Sequence, residues 1–505
     1  MHIRTSSVIG VTLLSAGAVT AGVGTANAAV KHGISVQAID RGGRSIAVDA
    51  HLVNVQTSDG YDVGPGRTVQ VPAGTYSVAS TIWSEDGTET LGVRVISLSR
   101  DTKVVFDARQ GHKVRFSIDD PTAETRLLQL VPLVGPTWAL NPIADQVPVD
   151  QTYLIPTTSK YLTLFAYAEL EKQGSSPQQP SPYRYDLTRT VKGSLPANPS
   201  FAFAKSKLAR VGVTIRSSGA GEAGRLGLTA ATQSGGSLPA TATTEFGALP
   251  ARITSYRSPG MWHTLIQSSG PYGSGGKRIY AGSPYKAASS SETYRAAAWE
   301  PAIGTGLDGR YLWLWPRTVL SSPGLGGGLS AATKQVRLYR GAKLIAQSTG
   351  DKKVLLSTTP YWYTLKLNAA RKPGPGLSSK VSAVWNFKTH GYADGLSHGS
   401  PRLIWAGLAP WGLDGNNSAA RGSATTVALS VSGPGAKSPV KALSLEASFN
   451  GGTTWRKVQL KQSGARWLAK VTNPGGPGFV SLRAKVKDTK GNGVTETVVN
   501  AYAIR

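Results

Sequence analysis

A short alternation of apolar and polar residues recurs along this chain and limits the folds that it can adopt. The clearest example begins at Leu443, where Leu443, Leu445 and Ala447 fall on one side and polar residues on the other. Such a period of two is typical of a half-buried β-strand. Gly451 and Gly452 interrupt the alternation, and glycine reaches positive φ without steric cost. The pattern therefore predicts a small β-sandwich over residues 433–505.

The same pattern extends over most of the 505 residues, which are too many for a single core. Segments with a 3.6-residue period are nearly absent, so we expect an all-β fold of tandem β-sandwich domains. Residues 161–170 form a long, mostly apolar run that fits either a buried strand or a short helix. The predicted divisions are a signal peptide at 1–28, a first sandwich at 30–118, a linker and the start of the central unit at 119–182, a larger central β-unit at 183–400, a connector at 401–432 and an Ig- or fibronectin-like sandwich at 433–505.

The first residues resemble a secretory signal. Residues 1–4, Met-His-Ile-Arg, form a short basic region, residues 8–23 are apolar and small, and residues 26–28 form an Ala-Asn-Ala cleavage pattern. We expect cleavage after Ala28 and a secreted protein, extracellular or associated with the cell wall. A membrane anchor is the alternative, but the run is short for a span, and no later segment supplies the roughly 20 apolar residues that one requires. The absence of cysteine excludes disulfides and thiolate chemistry.

The formal net charge of +27 is spread unevenly. Residues 201–400 hold 24 Lys and Arg against 7 Asp and Glu, and residues 433–505 hold 12 against 3, whereas residues 30–120 hold 10 against 11. A basic extracellular surface attracts anionic wall polymers or acidic glycans. Solubility alone is the other explanation. No run of Lys and Arg is longer than two, which argues against a specific nucleic-acid partner.

Two short motifs resemble known β-structures. The segment Val-Pro-Ala-Gly-Thr-Tyr-Ser-Val at 71–78 resembles the strand–turn–strand of transthyretin-like, carboxypeptidase-regulatory domains, which implies a structural role. Residues 448–455 resemble the Asp-box hairpin of sialidases, with asparagine in place of the aspartate. That resemblance implies a structural hairpin rather than a catalytic site, with the motif positions Ser448, Asn450, Gly452, Thr454 and Trp455.

A wider resemblance lies in the order of segments 255–262, 294–299, 336–341, 377–387 and 408–422. Their succession resembles the non-catalytic C-terminal half of large secreted bacterial subtilisin-like serine proteases. The family's catalytic contexts, Asp-Ser/Thr-Gly, His-Gly-Thr-His and Gly-Thr-Ser-x-x-x-Pro, do not occur here. The nearest approach, residues 397–400, lacks the second histidine. The resemblance implies a non-enzymatic accessory protein, with a secreted protease as an alternative partner that it would serve as exosite or folding aid.

Other chemistry has little support in the sequence. His390 and His398 flank Asp394, but a polar linker is favoured over a metal site, so we expect no metal and no cofactor. An unrecognised hydrolase in the central unit is an alternative, because paired carboxylates cannot be chosen from sequence.

Four residues are candidates for ligand binding. Trp313 and Trp315 share one strand face and could stack on sugars, although core packing is favoured for them. Lys277 and Arg278, two adjacent cations of the basic central unit, are the other two candidates for ligand binding. The sequence thus predicts a secreted, non-catalytic binding or scaffolding protein.

Overall fold

The computed structural model describes residues 30–134, 137–138, 149–217, 223–231, 237–269, 277–281, 290–295, 301–317, 326–328, 332–371 and 377–505. The predicted signal peptide at 1–28 lies outside these residues. Within them the chain forms eight β-sheets. The helical pieces of this part are three 3₁₀ turns, Ala108–Gln110, Val149–Gln151 and Lys205–Lys207. The predicted all-β architecture of sandwiches is confirmed. In the described part of the chain no helix is long and apolar enough to cross a membrane.

The first unit is a sandwich of a four-stranded and a six-stranded sheet. Its core includes Ile34, Val36, Tyr76 and Phe106, which are at most 4% exposed. The smaller sheet contains Ser45–Ala47, Lys31–Ile39, Thr68–Pro72 and Thr102–Asp107. The larger contains, in spatial order, Gly60–Val63, Ala50–Asn54, Gly74–Trp83, Glu89–Leu98, Thr152–Leu154 and His112–Lys113.

The second unit pairs a seven-stranded with a five-stranded sheet. The larger contains, in order, Thr137–Trp138, Ala123–Val134, Thr157–Lys172, Tyr183–Leu195, Ala251–Arg257, Ala209–Arg216 and Ser290–Arg295. The smaller contains Ser237–Phe246, Ala223–Ala231, Met261–Ser269, Lys277–Ala281 and Gly326–Gly328. A short parallel pair, Arg115–Ile118 with Ser200–Phe203, lies beside them.

The strand Thr157–Lys172 explains why residues 161–170 show no alternation. Phe165 and Tyr167 pack toward the five-stranded sheet, in the cluster that contains Leu226. Leu164 and Ala166 point the other way and belong to the cluster that contains Leu91 of the first unit. A strand covered on both faces has no solvent-exposed side, so residues 161–170 are mostly apolar, and their one charged residue, Glu169, is buried.

The third and fourth units share one sheet of nine strands. Its order is Lys343–Ser348, Ala332–Arg340, Tyr361–Arg371, Lys380–Thr389, Gly493–Ile504, Gly478–Asp488, Val440–Ser448 and Arg456–Val458, with Ser418–Ala419 also paired to Gly493–Ile504. In the third unit, a four-stranded sheet packs on the nine-stranded sheet. Its strands are Lys352–Leu355, Tyr311–Arg317, Ala302–Asp308 and His398–Gly399. Another four-stranded sheet covers the fourth unit, with Trp405–Pro410, Ala424–Ser432, Arg466–Thr472 and Leu460–Ser463.

The junction of these two units, which we call the seam, is a ladder of backbone hydrogen bonds. Lys380–Thr389 of the third unit runs antiparallel to Gly493–Ile504 of the fourth. Trp385 is fully buried beside it, and its Nε1 donates to the Ile404 carbonyl at 2.8 Å. The seam therefore joins a strand predicted for the central unit to one predicted for the C-terminal sandwich. The sequence-based domain boundaries remain predictions.

Candidate functional site

The outward side of the nine-stranded sheet concentrates positive charge. Leu338, Leu365 and Trp385 point inward and are fully buried, and the residues that alternate with them point outward. We call this outward side the basic face. Its cations are Arg337, Lys366, Lys380, Lys388, Lys457, Arg483, Lys485 and Lys487.

Carboxylates are scarce on the same strands. Their sequences contain three, and two of these, Asp488 and Glu496, are 1% exposed. Glu446 is therefore the one outward carboxylate that these strands contribute. The basic face thus carries a surplus of positive charge that its own strands do not neutralise.

Strand register aligns cations of both units in one row. Arg337 is opposite Lys366, and Lys366 is opposite Val384. Val384 is opposite Thr495 across the seam, and Thr495 is opposite Lys485. Neighbouring strands lie about 4.8 Å apart. Like charges at directly opposite register positions are unfavourable, so the pairing of Arg337 with Lys366 favours a negatively charged partner.

A groove of 510 Å³ lies on this face and crosses the seam. Its floor includes a row of uncharged polar side chains, with Gln335 opposite Asn368 and Ser382 opposite Thr497. Lys380 lines the groove as well. Amides and hydroxyls donate and accept hydrogen bonds, and the ammonium group supplies charge. The groove can therefore contact both the hydroxyl groups and the anionic groups of a ligand.

Glu446 organises one end of the basic face. Its Oε2 accepts from Arg483 Nε at 2.6 Å and lies 3.1 Å from Lys485 Nζ. The hydrogen bond from Arg483, supported by Lys485, lowers the pKa of the Glu446 carboxyl. The Arg483 guanidinium also lies 4.3 Å from the centre of the Trp455 ring. Arg483 is thus held in place from two directions.

Trp455 belongs to the hairpin that resembles an Asp box. Asn450 Oδ1 accepts from the Thr454 backbone N–H at 2.9 Å, and Asn450 Nδ2 donates to Thr454 Oγ1 at 2.9 Å. Ser448 Oγ accepts from the Gly452 N–H at 3.0 Å, and Trp455 Nε1 donates to the Gly452 carbonyl at 2.9 Å. Gly452 has a φ of 88°, which favours glycine. The polar groups of this hairpin bond to one another, and its contact with the basic face is the Trp455 ring.

The structure brings Trp313 and Trp315 together on the outward side of strand Tyr311–Arg317. Their rings stack with centroids 5.8 Å apart and an interplanar angle of 13°. Both are half-buried, and the core positions of the strand are Leu312 and Leu314. Lys353 Nζ lies 4.8 Å from the centre of the Trp313 ring.

The other sequence candidates lie apart from the basic face. Lys277 and Arg278 are in strand Lys277–Ala281 of the five-stranded sheet. His398 Nδ1 lies 3.1 Å from Asp308 Oδ1, whereas Asp394 accepts from the backbone N–H groups of its own turn. No group of three or more potential metal-ligating side chains occurs among the residues that the structure describes.

Sequence reasoning missed a buried ionic network inside the second unit. Arg184 and Asp186 are fully buried, and Arg184 Nε donates to Asp186 Oδ2 at 2.9 Å. Arg184 Nη1 also lies 2.9 Å from Glu169 Oε1. The Tyr167 hydroxyl donates to Asp186 Oδ1 at 2.7 Å. Burial raises the pKa of Glu169 to about 7, although Arg184 opposes the shift. The single sequence signal was a pair of opposite charges two residues apart in an aromatic strand.

Comparison with known proteins does not assign a family. No family model matches the chain, and no curated protein matches it. Among solved structures, a chimeric titin Z1Z2-Z1Z2 tandem is 14% identical, with 41% of this chain and 99% of that chain covered and a TM-score of 0.16. A Salmonella alpha-2-macroglobulin mutant is 10% identical, with 90% and 37% covered and a TM-score of 0.20. Escherichia coli alpha-2-macroglobulin activated by porcine elastase is 9% identical, with 91% and 50% covered and a TM-score of 0.16. This chain thus spans about half or less of the two macroglobulins.

Proposed function

We propose that this protein is a secreted, non-catalytic binding or scaffolding protein whose basic face holds an anionic cell-envelope polymer or acidic glycan. The observation that carries the proposal is the set of eight outward cations with one outward carboxylate on the nine-stranded sheet. A surface field of one sign raises the local concentration of oppositely charged ligands and speeds their association. The proposed extracellular location rests on the predicted signal peptide.

The rigidity of the seam supports binding of an extended ligand. Cations of both units lie on one hydrogen-bonded sheet, so binding does not require two domains to be brought together. A preorganised surface loses less conformational entropy when it binds. The polar row Gln335, Asn368, Ser382 and Thr497 adds hydrogen-bonding groups between the charges.

The carboxylates of the buried network and of the basic face are engaged by cations, which favours binding over hydrolysis at these two places. Acid–base chemistry on a glycoside or peptide needs carboxyl or imidazole groups that reach the substrate. Asp186 and Glu169 are engaged with Arg184 in the interior, and Glu446 is engaged with Arg483 and Lys485. The sequence also lacks the catalytic motifs of the subtilisin-like proteases that it resembles.

The resemblance of the segment order to that of those proteases supports a second proposal, that the protein assists a separately encoded secreted protease. Co-purification of the mature chain with a catalytic domain from the same culture supernatant would favour it. Recovery of the chain without any protease, under salt conditions that preserve weak complexes, would count against it.

The test of the first proposal is co-sedimentation of residues 29–505 with purified cell walls that retain or lack their anionic polymer. The variant carries Lys366→Glu, Lys380→Glu and Lys485→Glu, and the control carries Lys437→Glu, Lys461→Glu and Lys470→Glu, which change the net charge equally at exposed positions outside the basic face. We expect the face variant to lose at least about tenfold in affinity at 0.15 M salt, where exposed charges are screened over about 8 Å.

Two outcomes would overturn the proposal. One is equal loss in the face variant and the control, since only net charge would then matter. The other is retention of the protein on walls that is indifferent to ionic strength or to removal of the anionic polymer.

A further inference from the structure

A second concentration of positive charge lies in a pocket of 420 Å³ at the end of the seam. We call it the seam pocket. Its side chains come from both units, with Lys490 and Asn492 from the fourth unit and the others from the third unit and the segment that follows it. The polar side chains that matter here are Lys388, His390, Tyr392, Ser400, Arg402 and Lys490. No Asp or Glu is among the described residues that line it.

The turn that carries Lys490 is fixed by a buried carboxylate. Asp488 is 1% exposed, and its Oδ1 accepts from the backbone N–H groups of Lys490 and Asn492 at 2.8 Å each. Its Oδ2 accepts from Asn492 Nδ2 at 2.8 Å. Gly491 has a φ of 89° and packs against the Trp362 ring. The charge of Asp488 is therefore used to hold the turn, while Lys490 is exposed at the pocket.

The opposite wall is also held by backbone contacts. The Tyr392 N–H donates to the Gly309 carbonyl at 2.8 Å, and the Tyr392 hydroxyl lies where a side chain at Gly399 would be. The Leu403 N–H donates to the Pro401 carbonyl at 2.8 Å, which fixes the backbone on both sides of Arg402. The positions of these residues therefore do not depend on a long, free loop.

These groups match the chemistry of a tetrahedral oxyanion. A guanidinium donates two parallel hydrogen bonds to a phosphate or sulfate group, and ammonium groups add point charges. His390 Nδ1 lies 3.1 Å from the Gly391 carbonyl, which can only accept, so Nδ1 is the donor; in the neutral ring Nε2 is then an acceptor, which suits a hydroxyl group of the ligand rather than its oxyanion. Small-molecule sites typically measure about 300–1,000 Å³, so the pocket has room for more than a bare anion.

We propose that the seam pocket binds a phosphate or sulfate monoester carried on a sugar or polyol. The pocket needs one anionic group rather than a chain of them, and it shares Lys388 alone with the basic face. It therefore stands independently of polymer binding. An occupant would contact both units and stabilise their junction, because a ligand that binds only the folded state raises the free energy of unfolding.

Isothermal titration and thermal unfolding of residues 29–505 test this proposal. The probes are glycerol 3-phosphate, glucose 6-phosphate, glucose 6-sulfate and glucose. We expect saturable binding and a rise in Tm with an ester and neither effect with glucose. Binding of the phosphates alone or of the sulfate alone would identify which oxyanion is used.

The decisive variant combines Arg402→Ala and Lys490→Ala, and Lys437→Ala with Lys461→Ala is the matched control at exposed lysines away from the pocket. The pocket variant should bind the ester at least tenfold more weakly, the control should not, and Arg402→Lys should be intermediate because charge remains but the paired donors are lost. Unchanged Tm values without ligand establish that the variants fold. The absence of binding by any ester, or equal binding by the pocket variant, would overturn the proposal.

One further variant separates the two proposals. The chain with Lys366→Glu, Lys380→Glu and Lys485→Glu should keep its ester affinity while it loses polymer. In the wild-type chain, ester binding without polymer binding would overturn the function proposed for the basic face and leave the proposal for the seam pocket standing. Polymer binding without ester binding would do the reverse.

Discussion

Charges in the interior of the second unit are paired with opposite charges, whereas most cations of the basic face are not. In the interior, Arg184 is matched by Asp186 and Glu169 within hydrogen-bonding distance. On the basic face, Lys366 and Lys380 have cations or uncharged residues as register neighbours. A buried charge without a partner costs several kcal/mol, so folding requires compensation there. Water solvates exposed ammonium groups, so folding tolerates the surplus outside. The uncompensated charge is therefore open to a ligand.

Removal of a buried ionic partner should have the largest effect on stability. Asp186→Ala would leave Arg184 without its bidentate acceptor, and we expect a loss of about 3–5 kcal/mol in the free energy of unfolding. Lys366→Ala, an exposed control, should change it by less than about 0.5 kcal/mol. Urea unfolding followed by tryptophan fluorescence measures both. Similar values for the two variants would show that burial does not distinguish these regions.

The second prediction concerns the raised pKa of Glu169. Between pH 4.5 and about 7, Glu169 is protonated in the folded state and ionised in the unfolded state. The contribution of Glu169 to the free energy of unfolding is therefore full below pH 4.5 and is lost as the pH rises through 7. A shift of this size corresponds to about 3 kcal/mol. Glu169→Gln should therefore flatten the dependence of unfolding free energy on pH between 5 and 8. Parallel pH profiles for the variant and the wild type would contradict the assignment.

Glu446 is the one outward carboxylate that the strands of the basic face contribute. Glu446→Gln removes the partner of Arg483 and Lys485 on a partly exposed surface, so the unfolding free energy should fall by no more than about 1 kcal/mol. The same change should strengthen binding of an anionic polymer, because the basic face gains one net positive charge. Denaturant titration and wall co-sedimentation measure the two effects. Weaker polymer binding would mean that Glu446 contributes to the site by positioning Arg483.

The smallest effect on stability is expected when one positive charge of the basic face is removed. Lys366→Gln removes the like charge opposite Arg337 and should stabilise the fold by about 0.2–0.5 kcal/mol at low salt. At 1 M salt the Debye length is about 3 Å, so the gain should disappear. Thermal unfolding at the two salt concentrations is the measurement. A gain that persists at 1 M salt would point to packing rather than charge.

Local pattern was enough to predict the strands but not their partners. The alternation in Lys31–Ile39 and Val440–Ser448 marks their buried sides, and the structure has strands there. The seam pairs Lys380–Thr389 with Gly493–Ile504, which are more than a hundred residues apart, and no local pattern encodes that register. The number of lysines can be read from the sequence, but their position on one side of one sheet follows from the strand register.

The buried network escaped prediction for a different reason. Arg184 and Asp186 fall on the same side of their strand, as residues two apart must. A charged pair in that position is typical of a solvent-facing side. The structure covers that side with the five-stranded sheet and compensates each charge, so tertiary packing overrode the local expectation.

The seam also fixes the spacing between the cations of the nine-stranded sheet. Because a ladder of hydrogen bonds joins the two units, no hinge can adjust the spacing between the cations on either side of it. A ligand that lies across the strands meets positive charge at multiples of about 4.8 Å. Stiff polymers whose charges repeat at a matching interval should be held in register, whereas flexible ones must lose conformational freedom to conform to it.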